Sequence, residues 1–288
     1  MKAAVLGRSG HIGTYLVPQL VRAGYHVVNV SRAARTPYAP DPLWREVESV
    51  VLDRETEPAF ERKVAALKNT NLSHYVYCSS IWAHGKATFL PIREDVPRFP
   101  LDEYGTQKAL SEAYLHRCHR LEGFPETVVM PGQISGPGWS IINPAGNTDP
   151  LVFQKIGRGE AIQLPNFGME TLYHVHADDV AQVLFKALKH RTLALGESFH
   201  ATGAEAVTLV GLAEALYRLF GKEPRVELLP WKEWCKATGD QHDRSQGHHR
   251  LRIPVRLLQR PSVSISRNRV TSASHRSRTK ATWAGWPL

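Results

Sequence analysis

The sequence predicts an α/β protein built on a doubly wound parallel sheet, and three observations carry that reading. Short apolar runs alternate with helically spaced stretches through the first half of the chain. A glycine-rich turn joins the first apolar run to the first helical stretch. With 288 residues, 42% hydrophobic and 22% charged, the composition is globular, which argues against a disordered or fibrous chain and leaves room for one large domain or two modest ones.

Residues 2–7, KAAVLG, read as a buried strand. From His11 to Ala23, Ile12, Leu16, Leu20 and Val21 are spaced helically, and Gly24 follows as a C-terminal cap. HVVNVS at 26–31 is a second strand, so the first thirty-odd residues form a parallel βαβ unit. A proline-rich loop leads to a third strand at Val47–Asp53, a helix over 57–68 and a strand over 74–79, HYVYCS. A helix over Tyr104–Leu121 and a strand at 126–131, ETVVMP, continue the alternation. Beyond Trp139 the pattern loosens, with helices expected at 149–157, 179–190 and 209–220.

These changes divide the chain into a dinucleotide-binding, Rossmann-like domain at 1–138, a smaller substrate lobe at 139–239 that crosses back to the sheet, and a tail at 240–288. The tail, with ten Lys or Arg against two Asp, holds +8 of the net charge of +9, which leaves the body almost neutral. Serine and arginine alternate there without apolar periodicity, which predicts a disordered, basic segment. Nucleic acid is an unlikely partner, because no aromatics interleave with the basic residues before Trp283. No apolar run approaches the ~20 residues of a membrane span, and MKAAVLGRSG breaks into glycine too early for a secretory signal. Cys78, Cys118 and Cys235 lack CxxC spacing and indicate neither a disulfide framework nor zinc, so a reducing cytoplasm is the expected location.

Gly7-Arg8-Ser9-Gly10-His11-Ile12-Gly13 spaces its glycines as GxxGxxG between strand and helix. Such a turn brings backbone amides and the helix N-terminus to a pyrophosphate. After the second strand, where an acid would hold an NAD ribose, stand Ser31 and Arg32. A hydroxyl and a guanidinium fit a 2′-phosphate, so NADP is the preferred cofactor and NAD the alternative. Tyr104 and Lys108 share a helix face, where an ammonium near the phenol favours phenolate over a form with pKa ~10. Ser79 and Ser80 end a strand 24 residues earlier, where a hydroxyl can hold the same substrate oxygen. His174 and His176 face one way but lack a third ligand, so no metal is expected, and Asp178-Asp179 fit an N-cap and first turn. Trp231 and Trp234 fit packing of the last helix better than a substrate wall.

The blocks GRSGHIG, YVYCSSIWAHG, YGTQK, VVMPGQISGPG and YHVHADDVAQVLFKAL resemble, in order, those of the extended short-chain dehydrogenase/reductase superfamily in its NAD-dependent epimerase/dehydratase branch. The resemblance covers about residues 1–235. It implies a catalytic set of Ser80, Tyr104 and Lys108, with Tyr104 and Lys108 also at the cofactor, and Asp53 at the adenine. Two departures stand out. Only 26 positions separate Asp53 from Ser79, so one βα unit of the family is missing, and the closing apolar helix is replaced by the basic tail.

The expected activity is an NAD(P)-dependent oxidoreductase or epimerase/dehydratase that transfers hydride at a hydroxyl or carbonyl carbon of a small molecule, a nucleotide sugar or secondary metabolite being open; a homodimer is also left open. The alternative is a catalytically impaired dinucleotide-binding protein serving as an interaction module. If the missing strand leaves a gap, the strand at 74–79 is expected either to pair directly with that at 2–7, displacing Ser80, or to leave the sheet marginal and the activity weak.

Overall fold

A computed structural model describes residues 1–6, 10–31, 36–51, 60–87, 89 and 91–238. In chain order its elements are β1 (Lys2–Leu6), α1 (His11–Arg22), β2 (His26–Ser31), β3 (Glu48–Val51), α2 (Phe60–Lys68), β4 (Tyr75–Cys78), α3 (Glu103–Glu122), β5 (Glu126–Pro131), β6 (Gln133–Ser135) and α4 (Pro150–Arg158). There follow β7 (Ile162–Leu164), β8 (Thr171–Leu172), β9 (His174–His176), α5 (Ala177–Lys189), α6 (Arg191–Ala194), β10 (Ser198–Ala201), β11 (Val207–Thr208), α7 (Leu209–Leu219), β12 (Val226–Leu228) and α8 (Trp231–Thr238).

The parallel strands fall into two three-stranded sheets. One has the order β1-β2-β3, with Ala3 opposite Val27 and Val30 opposite Val50. The other has the order β10-β5-β4, with Val76 opposite Thr127 and Phe199 opposite Val129. The central strand of this second sheet is buried at every residue, as an apolar run paired on both edges must be.

Between β1 and β4 no ladder forms among the described residues, so the expected direct pairing of these two strands does not occur. A break therefore separates the two sheets among the described residues. Helices span it instead. Ile12 and Leu16 of α1 pack with Val180, Val183 and Leu184 of α5 and with Val129 and Val76 of the second sheet. On the other side of α1, Val17 and Leu20 pack with Val27 of β2 and with Phe185 and Leu188 of α5. The Gln19 amide donates to Asp178 at 2.8 Å, tying the same two helices at their polar margin. Each fully buried Val or Leu contributes about 1.5–3 kcal/mol, so this shared layer replaces strand pairing as the connection between the sheets.

The helix ends follow their sequence signals. Asp102 caps α3 by accepting from the Gly105 amide, and Gly123 ends it in the left-handed region. At α5 the structure corrects the reading of Asp178-Asp179: His176 is the N-cap, its Nδ1 accepting from the Asp178 amide at 3.2 Å, and both aspartates lie in the first turn, where they complement the helix dipole.

After β5 the chain builds three small two-stranded pairings, β6 with β9, β7 with β12 and β8 with β11. The last two share a core of Ile156, Ile162, Leu164, Leu172, Leu209 and Tyr217 with α4 and α7. Between them α5 and β10 return to the second sheet. No helix among the described residues is long and apolar enough to cross a membrane, and the tail at 240–288 lies outside those residues.

Candidate active site

The close approach of α3 to the turn after β4 assembles the central residues. A side chain at Gly105 would meet the Trp82 carbonyl at 2.6 Å, so glycine here lets the helix start lie directly against the turn Ile81–His84. That contact brings Tyr104 beside Ser80. Ser80 caps the turn, its Oγ accepting from the Trp82 amide at 3.3 Å, and the same hydroxyl lies close enough to the Tyr104 phenol to draw its pKa down. Lys108, one turn further along α3, donates to the Cys78 carbonyl at 2.8 Å and lies 5.6 Å from the centre of the Tyr104 ring.

The electrostatics differ from the expectation that Lys108 would favour phenolate. Burial of the phenol raises the Tyr104 pKa, and the Ser80 hydrogen bond offsets this only in part. The ammonium is turned to the Cys78 carbonyl and sits 5.0 Å over the Tyr77 ring, so Tyr104 is held as a neutral phenol.

A buried polar network fixes the serine turn from behind. Ser79 donates to Glu112, two turns along α3 from Tyr104, and the other carboxylate oxygen takes Nε of Arg98 at 2.8 Å. His84 and His200 share a hydrogen bond of 2.8 Å, and burial pushes the His84 imidazole down to about 3. Sequence reading missed Glu112 and Arg98. Glu112 continues the four-residue spacing of Tyr104 and Lys108 along α3, which was an available signal, whereas nothing local marks Arg98.

Gly10 is the N-cap of α1, which carries no side-chain cap hydrogen bond, and Ile12 packs into the α5 layer. His11 is 7% exposed, stacks on Tyr38 with ring centres 4.0 Å apart and meets Trp139 edge-on at 4.0 Å. Gly13 is buried within α1, and Ser31 is buried at the end of β2. Gly7, Arg8, Ser9, Arg32 and Asp53 lie outside the described residues.

His11, Tyr38, Ser80, Tyr104 and Lys108 line a single cavity of about 960 Å³ that continues to Trp231 and Trp234. The two tryptophans, expected chiefly to pack the last helix, therefore also form a cavity wall. Trp234 does both, being 3% exposed with its indole donating to the Gln163 carbonyl at 3.2 Å. No group of three residues suited to hold a metal occurs among the described residues. His174 and His176 instead lie along β9, and His176 is used as a helix cap.

Comparison with known proteins agrees with this arrangement. The model of the NAD dependent epimerase/dehydratase family matches residues 60–200. A 2'-dehydrokanamycin reductase of Streptomyces kanamyceticus is 32% identical over 133 residues, 39% of this chain and 37% of that protein, so the match spans well under half of the relative. A dTDP-4-dehydro-6-deoxy-D-allose reductase of Streptomyces bikiniensis is 28% identical over 274 residues, covering 78% of this chain and 83% of that protein. Among solved structures, a UDP-glucuronic acid 4-epimerase from Bacillus cereus in complex with NAD superposes with a TM-score of 0.64 at 18% identity, over 81% of this chain and 88% of that one. A UDP-glucose 4-epimerase from Thermotoga maritima gives 0.60 at 21% identity, over 79% and 86%. These relatives give no support to the alternative of an impaired binding module, and Ser80 has not been displaced from Tyr104 by closure of the sheet. The sequence blocks, the family match over residues 60–200 and the shared fold together liken this chain to the NAD-dependent epimerase/dehydratase family and its nicotinamide-dependent enzymes.

Proposed function

We propose that the protein is an NADP-preferring reductase acting on a carbonyl group of a carbohydrate, with Ser80, Tyr104 and Lys108 as its catalytic set. The observation that carries this reading is the meeting of the Ser80 hydroxyl, the Tyr104 phenol and the Lys108 side chain on one cavity wall. The dehydro-sugar and dehydro-aminoglycoside reductases among the relatives support a carbohydrate carbonyl as the reacting group.

The residues present fit a dinucleotide. The N-terminus of α1 has no side-chain cap hydrogen bond, and its amides and positive dipole end suit a pyrophosphate. His11, held neutral by burial, stacks with Tyr38 at the same end of the cavity. Ser31 and Arg32 would take the 2′-phosphate and Asp53 the adenine side. When bound, the dihydronicotinamide supplies hydride to the carbonyl carbon.

The chain's own residues handle the oxygen. Ser80 orients it through the hydroxyl that also lies close to the Tyr104 phenol. Tyr104 delivers the phenolic proton to that oxygen as negative charge develops there. Lys108, anchored on the Cys78 carbonyl and 5.6 Å from the Tyr104 ring, would stabilise the phenolate left behind and hold the nicotinamide ribose. A phenol with a raised pKa carries its proton at neutral pH, as proton delivery to the carbonyl oxygen requires.

Replacing Tyr104 by Phe is expected to lower reductive turnover by about 10²- to 10⁴-fold, the usual span for a general acid, while NADPH affinity is retained. Equal turnover in Tyr104→Phe would refute the assignment. Arg32→Asp should shift the affinity ratio from NADPH towards NADH, with a loss of about 1.5–3 kcal/mol for a charged hydrogen-bond set, and an unchanged ratio would remove the NADP preference.

A further inference from the structure

Three successive turns of α3 face the end of β4. Tyr104 lies close to the Ser80 hydroxyl, Lys108 donates to the Cys78 carbonyl at 2.8 Å, and Glu112 accepts from the Ser79 hydroxyl. A spacing of four residues puts all three side chains on one helix face, so the helix meets three consecutive residues of the strand end. The first two contacts belong to the reacting groups. The third lies behind them, with Glu112 2% and Ser79 3% exposed. The second Glu112 oxygen accepts from Nε of Arg98 at 2.8 Å, and the same guanidinium donates to the Val96 carbonyl and to the Met130 sulfur of β5. Such a buried, charge-assisted pair is confined to one geometry, because loss of either partner leaves a charge uncompensated.

The arrangement divides the work of two serines that are adjacent in sequence and alike in chemistry. A hydroxyl carries one proton, and a carboxylate has none to return. The Ser79 proton is committed to Glu112, so Ser79 has nothing to donate to a carbonyl oxygen, although both serines line the cavity. Ser80 is placed the other way round. Its Oγ accepts from the Trp82 amide at 3.3 Å, and its own proton is directed to another acceptor, with the Tyr104 phenol within reach. The two residues share a peptide bond. Ser79 is tied to α3 through Glu112 and to β5 through its amide, which donates to the Val129 carbonyl at 2.7 Å, and these ties fix the direction in which the Ser80 side chain leaves the backbone.

We infer that Glu112 is a positioning residue: acting through Ser79, it sets the serine turn against α3 so that the hydroxyl of Ser80, and not that of Ser79, is presented to Tyr104 and the reacting oxygen. Glu112 is itself not among the residues that line the cavity. The part that concerns the reacting oxygen rests on the reductase reading above, whereas the presentation of Ser80 to Tyr104 does not.

Full-length protein labelled with ¹³C at the tyrosine Cζ tests it by NMR at neutral pH with no substrate present, the Tyr104 resonance being identified by its loss in Tyr104→Phe. That resonance senses the hydrogen bonding of the phenol oxygen, and Ser80→Ala gives the displacement that follows when the serine is removed outright. Glu112→Gln keeps the size of the side chain, but its amide nitrogen cannot accept from the second of the two donors. Ser79→Ala removes the link itself and leaves the pair of Glu112 and Arg98 in place, so it decides the matter even if the glutamine variant does not fold. Each is expected to move the Tyr104 resonance in the direction of Ser80→Ala, and the double variant no further than the larger single effect, because both act through one contact. A merely structural role would lower the melting temperature and leave that resonance where it is. A Tyr104 resonance indifferent to Ser80→Ala, one that stays unmoved in Ser79→Ala, or additive displacements in the double variant would overturn the inference. The measurement needs no turnover, so its failure is distinguishable from failure of the reductase reading, which isotope transfer from NADPH tests.

Discussion

Tyr104 shows how much a single position depends on its surroundings. The four-residue spacing to Lys108 was legible, because one helical face follows from 3.6 residues per turn. The sign of the Tyr104 pKa shift was not, since it depends on burial against the serine turn and on the Cys78 carbonyl that draws the Lys108 ammonium. The raised pKa has a kinetic consequence. A phenol protonated across the neutral range keeps its proton available for reduction, so the reductive rate should hold a plateau through neutrality and fall only on the alkaline side of the ordinary ~10. The oxidative rate, which needs phenolate, should rise with pH over the same range. Rate profiles in both directions check this, and a reductive rate that already falls across neutral pH would show that the phenol is acidified. Tyr38 and Trp139 were not legible as site residues, because nothing near them in sequence announces their contact with His11.

At the scale of elements, the alternation of strands and helices read correctly from periodicity. What periodicity did not supply was how the strands divide between the sheets. Closure of the sheet would satisfy the open strand edges, yet β1 and β4 stay in separate sheets and α1 with α5 carries the connection. The two-residue strands β8 and β11 could not be placed from the sequence, because so short a run has no measurable period. The break predicts uneven protection from hydrogen exchange. Amides of β5, paired on both sides by β4 and β10, should be among the slowest in the protein. Amides of β1 directed away from β2 should exchange markedly faster. Equal protection in β1 and β5 of the full chain would mean that a further strand fills the break.

The whole molecule carries a set of wholly or partly buried histidines whose pKa values burial lowers. Burial, with the Arg98 and His200 charges beside it, pushes His84 down to about 3, and burial next to Arg191 takes His74 to about 4. His174 and His200 are lowered as well, again chiefly by burial. An unfolded chain binds these protons near pH 6.5, whereas in the folded chain His84 takes one up only at about 3 and His74 at about 4, so the stability these two groups contribute is fully present above 6.5 and drains away as the pH falls through that window. The melting temperature should therefore drop steadily below pH 6.5, and His84→Gln should flatten the slope. A melting temperature independent of pH down to 4.5, or a slope unchanged in His84→Gln, would contradict this. The histidine residues were visible in the sequence. Their burial was not, because nothing near His84 in the sequence announces that the packed turn encloses it beside His200.

Hydride transfer with proton delivery by Tyr104 is the central claim, and isotope transfer reads it most directly. The full chain would be incubated with NADPH deuterated on the transferring face of the nicotinamide and with dehydro-sugars, including amino-bearing ones, and the products examined by mass spectrometry. The structure predicts deuterium on the former carbonyl carbon with the native protein and its near absence with Tyr104→Phe, although both bind NADPH. Deuterium transfer at equal rates in the two proteins, or binding of NADPH without transfer to any carbonyl sugar, would contradict it.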